Sequence, residues 1–357
     1  MAVVKPFRAL RYDDGKAGPL ESLVAPPYDV ISPEERLRYL AHPHNVVHLT
    51  LPGSEAEAAR TLQRWRADGV LVEEPPAVWF LVQDYVGPDG VARRRSGLAA
   101  SLKVEPYETR TVLPHERTHA GPKEGRLRLL RATGIHLEPI LLLYDGPAPF
   151  EAPEREPDLA VEGARLWRLD DSTIVRAFDG KQLLIADGHH RYETALAYHA
   201  EEGTPASAQM LVVLVSTEDL GLEIFPTHRV FADPQRLEGE RKEIADPRAA
   251  LRELCVSETR DPSVVEVTRE GAALIRGEPG LLDVQLVDTL GHDGIAYTPD
   301  SDEALRRVFE SEGEVAYLMR PTRIEDVFAF ARRGEVLPQK TTYFFPKLLS
   351  GLLFHPL

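Results

Sequence analysis

The densest run of chemistry-bearing side chains is Ile185-Ala186-Asp187-Gly188-His189-His190-Arg191-Tyr192-Glu193-Thr194-Ala195-Leu196. An apolar stretch that ends in Asp-Gly and passes at once into helical spacing predicts a strand, a turn and a helix. The first amides of such a helix have no intrahelical partner, and its dipole favours negative charge, so phosphate is the expected occupant. Gly188 lets the chain approach a ligand closely, and His189, His190 and Arg191 add donors, Arg191 through two parallel bonds. The competing reading makes Asp187 a helix cap, leaves the histidines in solvent and uses Tyr192, Ala195 and Leu196 only for packing.

A second cluster, Leu113-Pro114-His115-Glu116-Arg117-Thr118-His119, places a carboxylate between two imidazoles. Glu116 can deprotonate a hydroxyl if the fold brings it beside the bound phosphate. Equally, it can be a helix-start glutamate favoured by the dipole. After a core strand, His228 and Arg229 either contact a ligand or close the sheet. The stretch Gln339-Lys340-Thr341-Thr342-Tyr343-Phe344-Phe345-Pro346-Lys347 mixes lysines and hydroxyls with aromatics, and either folds over the site or packs as a terminal strand. Pro26-Pro27-Tyr28-Asp29-Val30 reads as a rigid turn presenting Tyr28 and Asp29 to a substrate.

Positioning these groups falls to an α/β chain of 357 residues, long enough for two or three domains at roughly 100–200 residues each. Expected are an N-terminal α/β region over 1–106, a nucleotide- and phosphate-binding core with a mixed sheet over 107–232, and a C-terminal α+β region over 233–357. Helical spacing occupies 33–41 and 55–68, and strands at 77–82 and 94–103 flank a turn at 87–90 as a hairpin. A charged helix follows Pro114 as far as Arg131, a strand covers 139–144, and the Pro- and Glu-rich 147–157 is a loop. Strands are expected near 172–178 and 182–186. The helix of the motif runs past His199, and a strand at 210–215 leads to 226–230 at the end of the core. Beyond Asp233, helices alternate with strands at 273–275 and 282–287.

Composition narrows the functions. With 43% hydrophobic and 28% charged residues the chain is globular, and its net charge of −15 opposes a nucleic-acid groove. The lone Cys255 excludes an intramolecular disulfide and every multi-cysteine zinc motif, and suits a reducing cytoplasm. No apolar core follows the N-terminal basic residues as in a secretion signal, and no stretch reaches the roughly 18 apolar residues of a membrane span. Oligomeric state is left open.

Taken together, Lys5-Pro6-Phe7-Arg8-Ala9, Ala25-Pro26-Pro27-Tyr28-Asp29-Val30, Leu113-Pro114-His115-Glu116, the 187–196 box, Pro226-Thr227-His228-Arg229 and Pro338-Gln339-Lys340 resemble domain-of-unknown-function family 1015. Over 113–231, the order His-Glu, helix, Pro-Ile strand and Asp-Gly-His-His-Arg is similar to the SerK-type free-serine kinases of the ParB and sulfiredoxin-like superfamily. That resemblance implies a ParB-like mixed-sheet core, ATP or ADP phosphates and Mg²⁺ held by Asp187 to Arg191, and Glu116 as catalytic base. Sulfiredoxins carry a cysteine where His189 stands, and ParB proteins need a DNA-binding module that this acidic chain does not suggest. The insertion over 145–178 and the two flanking regions leave room for another substrate.

The expectation is therefore a nucleotide-dependent phosphotransferase acting on the hydroxyl of a small metabolite, with serine as the default. Glu116, Asp187 and His190 would serve the reaction, with Asp187 also on the metal; Gly188, His189, Arg191, His228, Arg229 and Lys340 would serve binding. Two alternatives stand beside it. One is a nucleotide-binding regulator without turnover; the other is a divalent-metal hydrolase built on Asp187, His189, His190 and His228, although adjacent helical histidines point in different directions.

Overall fold

Along the strand Leu183–Asp187, Leu183 and Ile185 enter one hydrophobic core while Leu184 and Ala186 enter another. The same period of two separates Ile140 and Leu142 from Leu141 and Leu143, and Met210, Val212 and Leu214 from Leu211, Val213 and Val215. Strands covered on both faces must be apolar throughout, so these segments read as unbroken hydrophobic runs. The computed structural model describes residues 2–116 and 120–357 and joins them in a nine-stranded mixed sheet. From one edge its order is Val112–Leu113, Leu183–Asp187, Ile140–Tyr144, Gln209–Ser216, Ala92–Lys103, Val78–Val86, Ala164–Leu169 and Leu159–Val161, with Val4–Lys5 also on Ala92–Lys103. Two neighbouring pairs are parallel, Val112–Leu113 with Leu183–Asp187 and Ile140–Tyr144 with Gln209–Ser216.

The fold is thus mixed α/β, as expected, but the border at 106/107 runs through one sheet. Strands from both sides of it pair with each other, so the two regions share a core. The hairpin forms over Val78–Val86 and Ala92–Lys103. Helices Pro33–Leu40 and Glu55–Ala67 begin where Ser32 and Ser54 accept from the backbone N–H three residues on.

Two expectations are corrected and one pair of strands is added. Residues 172–178 form a 3₁₀ helix, Ser172–Phe178, because Asp171 accepts from the Thr173 N–H at 2.9 Å and starts a helical turn. Residues 282–287 become the helix Asp283–Asp288, a short apolar run whose length alone does not separate helix from strand. Leu159–Val161 and Ala164–Leu169, unforeseen, extend the sheet beyond the hairpin.

A second, antiparallel sheet has the order Glu240–Ile244, Ala272–Arg276, Ser263–Thr268, Val315–Leu318, His228–Phe231 and Ile295–Thr298. Residues 228–231 therefore open this sheet instead of closing the first. The chain then returns: Val327, Phe328 and Ala331 of helix Ile324–Arg333 and Phe344 bury themselves against the first sheet. Tyr343–Phe345 pairs with Glu223–Phe225, and His355–Pro356 with Ile135–His136. On the opposite face sits helix His189–Glu202, through Tyr192 and Ala195. The end of Leu183–Asp187 is where these layers meet. Among the described residues no helix is long and apolar enough to cross a membrane.

Candidate functional site

The pairing of Leu183–Asp187 with Ile140–Tyr144 slips by one residue at Ala186, so that Asp187 lies opposite Leu141. Bulges of this kind re-aim a side chain at the end of a strand. Gly188 follows with φ +101°, where a Cβ would stand 2.4 Å from Ile140 Cγ2, so both backbone angle and space require glycine. Gly188 is the N-cap of helix His189–Glu202, and among the described residues no side chain caps it. The cap reading of Asp187 fails, and the first amides of this helix precede any carbonyl of its own that they could bond.

The Asp187 carboxylate is instead held between two cations: Oδ2 accepts from Arg191 Nη2 at 2.6 Å, and Oδ1 from Lys347 Nζ. Burial alone would raise its pKa, but Lys347 and Arg191 outweigh burial and hold it well below the usual carboxylate range. Arg191 also donates through Nη1 to the Pro139 carbonyl at 2.6 Å. Nη1 and Nη2 thus each give one N–H to the protein, and the guanidinium charge stands at the pocket wall.

The same geometry does not fit Asp187 as a dedicated metal ligand. Each of its oxygens already meets a cation, and among the described residues no three His, Cys, Asp or Glu side chains cluster to hold an ion. His228 is displaced from the group that the hydrolase reading requires. It lies on the second sheet, and its Nδ1 accepts from the Met319 N–H at 3.1 Å.

Glu116 does come to the box, with Asp187, Gly188, His189, His190, Arg191 and Lys340 on one pocket of about 460 Å³. Parallel bridging to Leu337, and donation from the Leu337 N–H to the His115 carbonyl at 2.8 Å, tie its segment to the returning chain. Burial raises the Glu116 carboxyl to about 7 in spite of Lys340 and Lys347. Its side chain keeps 21% of its exposure, so it can reach a ligand. Beside it His115 is fully buried and desolvation lowers it to about 4, which keeps it neutral. The His115 backbone N–H donates to His189 Nε2 at 3.3 Å, leaving neutral His189 its Nδ1–H as a donor. Arg117 and His119 lie outside the described residues.

The 339–347 stretch does both things foreseen for it: Gln339, Lys340, Thr342, Tyr343 and Lys347 line the pocket while Phe344 packs in the core. Arg95 anchors it, donating through Nη2 to the Pro346 carbonyl at 2.6 Å and to Gln83 at 2.5 Å. Tyr28 and Asp29 form another wall, the Tyr28 ring lying 3.8 Å beneath the Arg126 guanidinium. Arg229 does not reach the pocket. Fully buried, it donates to the Val284 and Gln339 carbonyls at 3.2 and 3.3 Å, supporting the base of the stretch.

Sequence reasoning did not single out Lys347, Thr342 or Thr227 individually. Lys347 and Thr342 carried a signal, since both belong to the lysine- and hydroxyl-rich stretch. Thr227 carried one only as a member of the Pro226-Thr227-His228-Arg229 motif. It enters from the turn between the sheets with its hydroxyl buried and without a hydrogen-bond partner among the described residues.

Fold and site define a mixed α/β protein with a pocket of cations and carboxylates at a strand-to-helix junction. The chain belongs to the family DUF1015, described as protein of unknown function, whose sequence profile matches residues 4–267. None of the curated proteins matches it. Among solved structures the chain is similar to a free serine kinase in complex with AMP, at 17% identity and a TM-score of 0.39, covering 68% of this chain and 89% of that one. It is also similar to a conserved hypothetical protein from Pyrococcus furiosus, at 17% identity and TM-score 0.37, with 68% and 92% covered. SbnI with C-terminal truncation, from Staphylococcus aureus, gives 12% identity and TM-score 0.39, with 70% and 85% covered.

Proposed function

We propose that the protein transfers a phosphoryl group from ATP or ADP to the hydroxyl of a small metabolite, with serine as the first substrate to test. The observation that carries this reading is the position of Glu116, a carboxyl raised to about 7, on the same pocket as the N-terminus of helix His189–Glu202. A base near the working pH is matched to taking a hydroxyl proton, and helix amides are matched to phosphate. In the reaction the substrate oxygen attacks the terminal phosphorus and Glu116 takes its proton. The bond from phosphorus to the bridging oxygen breaks, and the shortened nucleotide leaves with that electron pair.

Such chemistry rests on alignment and charge neutralisation. The amides of 189–191, the His189 N–H, His190, Lys340 and Lys347 supply them here. Asp187 acts by fixing Lys347 and Arg191; Mg²⁺ brought with the nucleotide would add charge neutralisation without a ligand from Asp187. The test is incubation with ATP or ADP, Mg²⁺ and L-serine or related alcohols, followed by mass spectrometry. A phosphomonoester is expected from the wild type; Glu116→Gln keeps nucleotide binding and loses the product. Absence of product across the whole panel contradicts the proposal, and nucleotide binding without product points to a regulator.

A further inference from the structure

The pocket holds a proton arrangement that the reaction above does not use. His115 Nδ1 lies 2.7 Å from the Ile185 carbonyl oxygen, which can only accept, so the ring proton sits on Nδ1. Nε2 of this neutral ring is then a lone pair. Thr342 Oγ1 lies 2.8 Å from it and must donate. A hydroxyl has one proton, and this one is spent. Toward Glu116 Oε1, 3.5 Å away, Thr342 therefore presents lone pairs only.

We infer that His115 and Thr342 form a one-way hydrogen-bond lock that positions Glu116 and strengthens it as a base. An ionised Glu116 meets lone pairs with lone pairs, whereas a protonated Glu116 donates its proton to Thr342. Both effects favour the protonated form. Other groups act on the same carboxyl: Lys340 and Lys347 from the returning stretch and the Thr342 amide favour the ionised form, while Asp187 at the strand end opposes it. Among the described residues, His189, His190 and Arg191 at the helix start and Tyr28, Asp29 and Tyr343 also line this pocket. The lock balances the two lysines, so that Glu116 can keep a proton affinity suited to a hydroxyl although two cations line its pocket. Thr342 and His115 are positioning residues in this account; Glu116 alone exchanges a proton with substrate.

The inference rests on the phosphotransfer reading for its purpose but is measured without turnover. In protein carrying [δ-¹³C]glutamate, the Glu116 resonance is assigned by its loss in Glu116→Gln and followed through a pH titration. Thr342→Val, which keeps the shape and removes the oxygen, is expected to raise the ionisation constant of Glu116 about tenfold, a drop of about one pH unit; Thr342→Ser is expected to leave it in place. A Thr342→Val midpoint at or above that of the wild type overturns the lock, as does Thr342→Ser shifting like valine. On the wild type, ¹⁵N spectra should show His115 neutral with its proton on Nδ1, and the Nε2–H tautomer overturns the lock without any variant. If these shifts appear and no phosphomonoester forms in the assay above, the lock stands and the phosphotransfer reading fails.

Discussion

Lys347 Nζ closes on the Asp187 carboxylate across 160 positions of sequence, binding the returning C-terminal stretch to the strand end that leads into Gly188 and the helix His189–Glu202. The pair is mostly buried, its side chains keeping 20% and 14% of their exposure. It makes the pocket wall continuous between two segments that each hold only part of the site.

Replacing Lys347 by methionine leaves Asp187 with Arg191 alone and removes one cation from the pocket. Nucleotide affinity should fall at least about tenfold by calorimetry, and stability at pH 7 by about 1–3 kcal/mol in urea melts. The folded-state pKa of Asp187 is depressed, so its contribution is complete above the unfolded value near 4 and is lost as pH falls below it toward the folded value. Between about pH 4 and pH 2 the variant should therefore lose less stability than the wild type.

Glu116 has the opposite sign. Its folded pKa, about 7, lies above the unfolded value near 4.3, so it costs stability progressively as pH rises from about 4 to about 7. Glu116→Gln should be more stable than the wild type at pH 8 by roughly 1–3 kcal/mol and nearly equal at pH 4.5. Paired denaturation curves at the two pH values check this.

Gly188→Ala places a methyl group 2.4 Å from Ile140 Cγ2 at a φ of +101°. A loss of about 2–4 kcal/mol is expected, the sum of overpacking and backbone strain. Ile140→Ala in the same chain should recover only the overpacking part, which a double-mutant cycle measures.

Arg95 is fully buried, and desolvation pulls its guanidinium down to about 10. It donates to neutral acceptors, Gln83 and the carbonyls of Phe345 and Pro346. Arg95→Met should loosen the stretch that carries Lys347. KM for nucleotide should then rise more than kcat falls, in steady-state kinetics at saturating second substrate.

Much of this site was legible in the chain. The switch from an apolar run to helical spacing across Asp187-Gly188 located the strand, turn and helix, and Gly188 stands where only glycine fits. Glu116 was legible as a base in type but not in place, since its approach to Asp187 depends on the sheet pairing of Val112–Leu113 with Leu183–Asp187. Thr342 and Lys347 were visible as part of an unusual stretch. Their partners were not, because contacts 227 and 160 positions apart form only when the chain returns over the first sheet. His228 and Arg229 misled because a polar pair after an apolar run resembles a sheet end; here they begin a strand of the second sheet, which buries them as structural groups. Residues 172–178 misled for a local reason, the Asp171 turn outweighing β-branched composition.

Whether Glu116 is the base is read most plainly from the pH dependence of phosphoryl transfer by the wild type and by Glu116→Gln, as phosphomonoester formed per minute between about pH 5.5 and 8.5. The wild-type rate should fall about tenfold per unit below pH 7, and the variant should be at least about a hundredfold slower with no such limb. A flat wild-type profile, or a variant that matches the wild type, contradicts it.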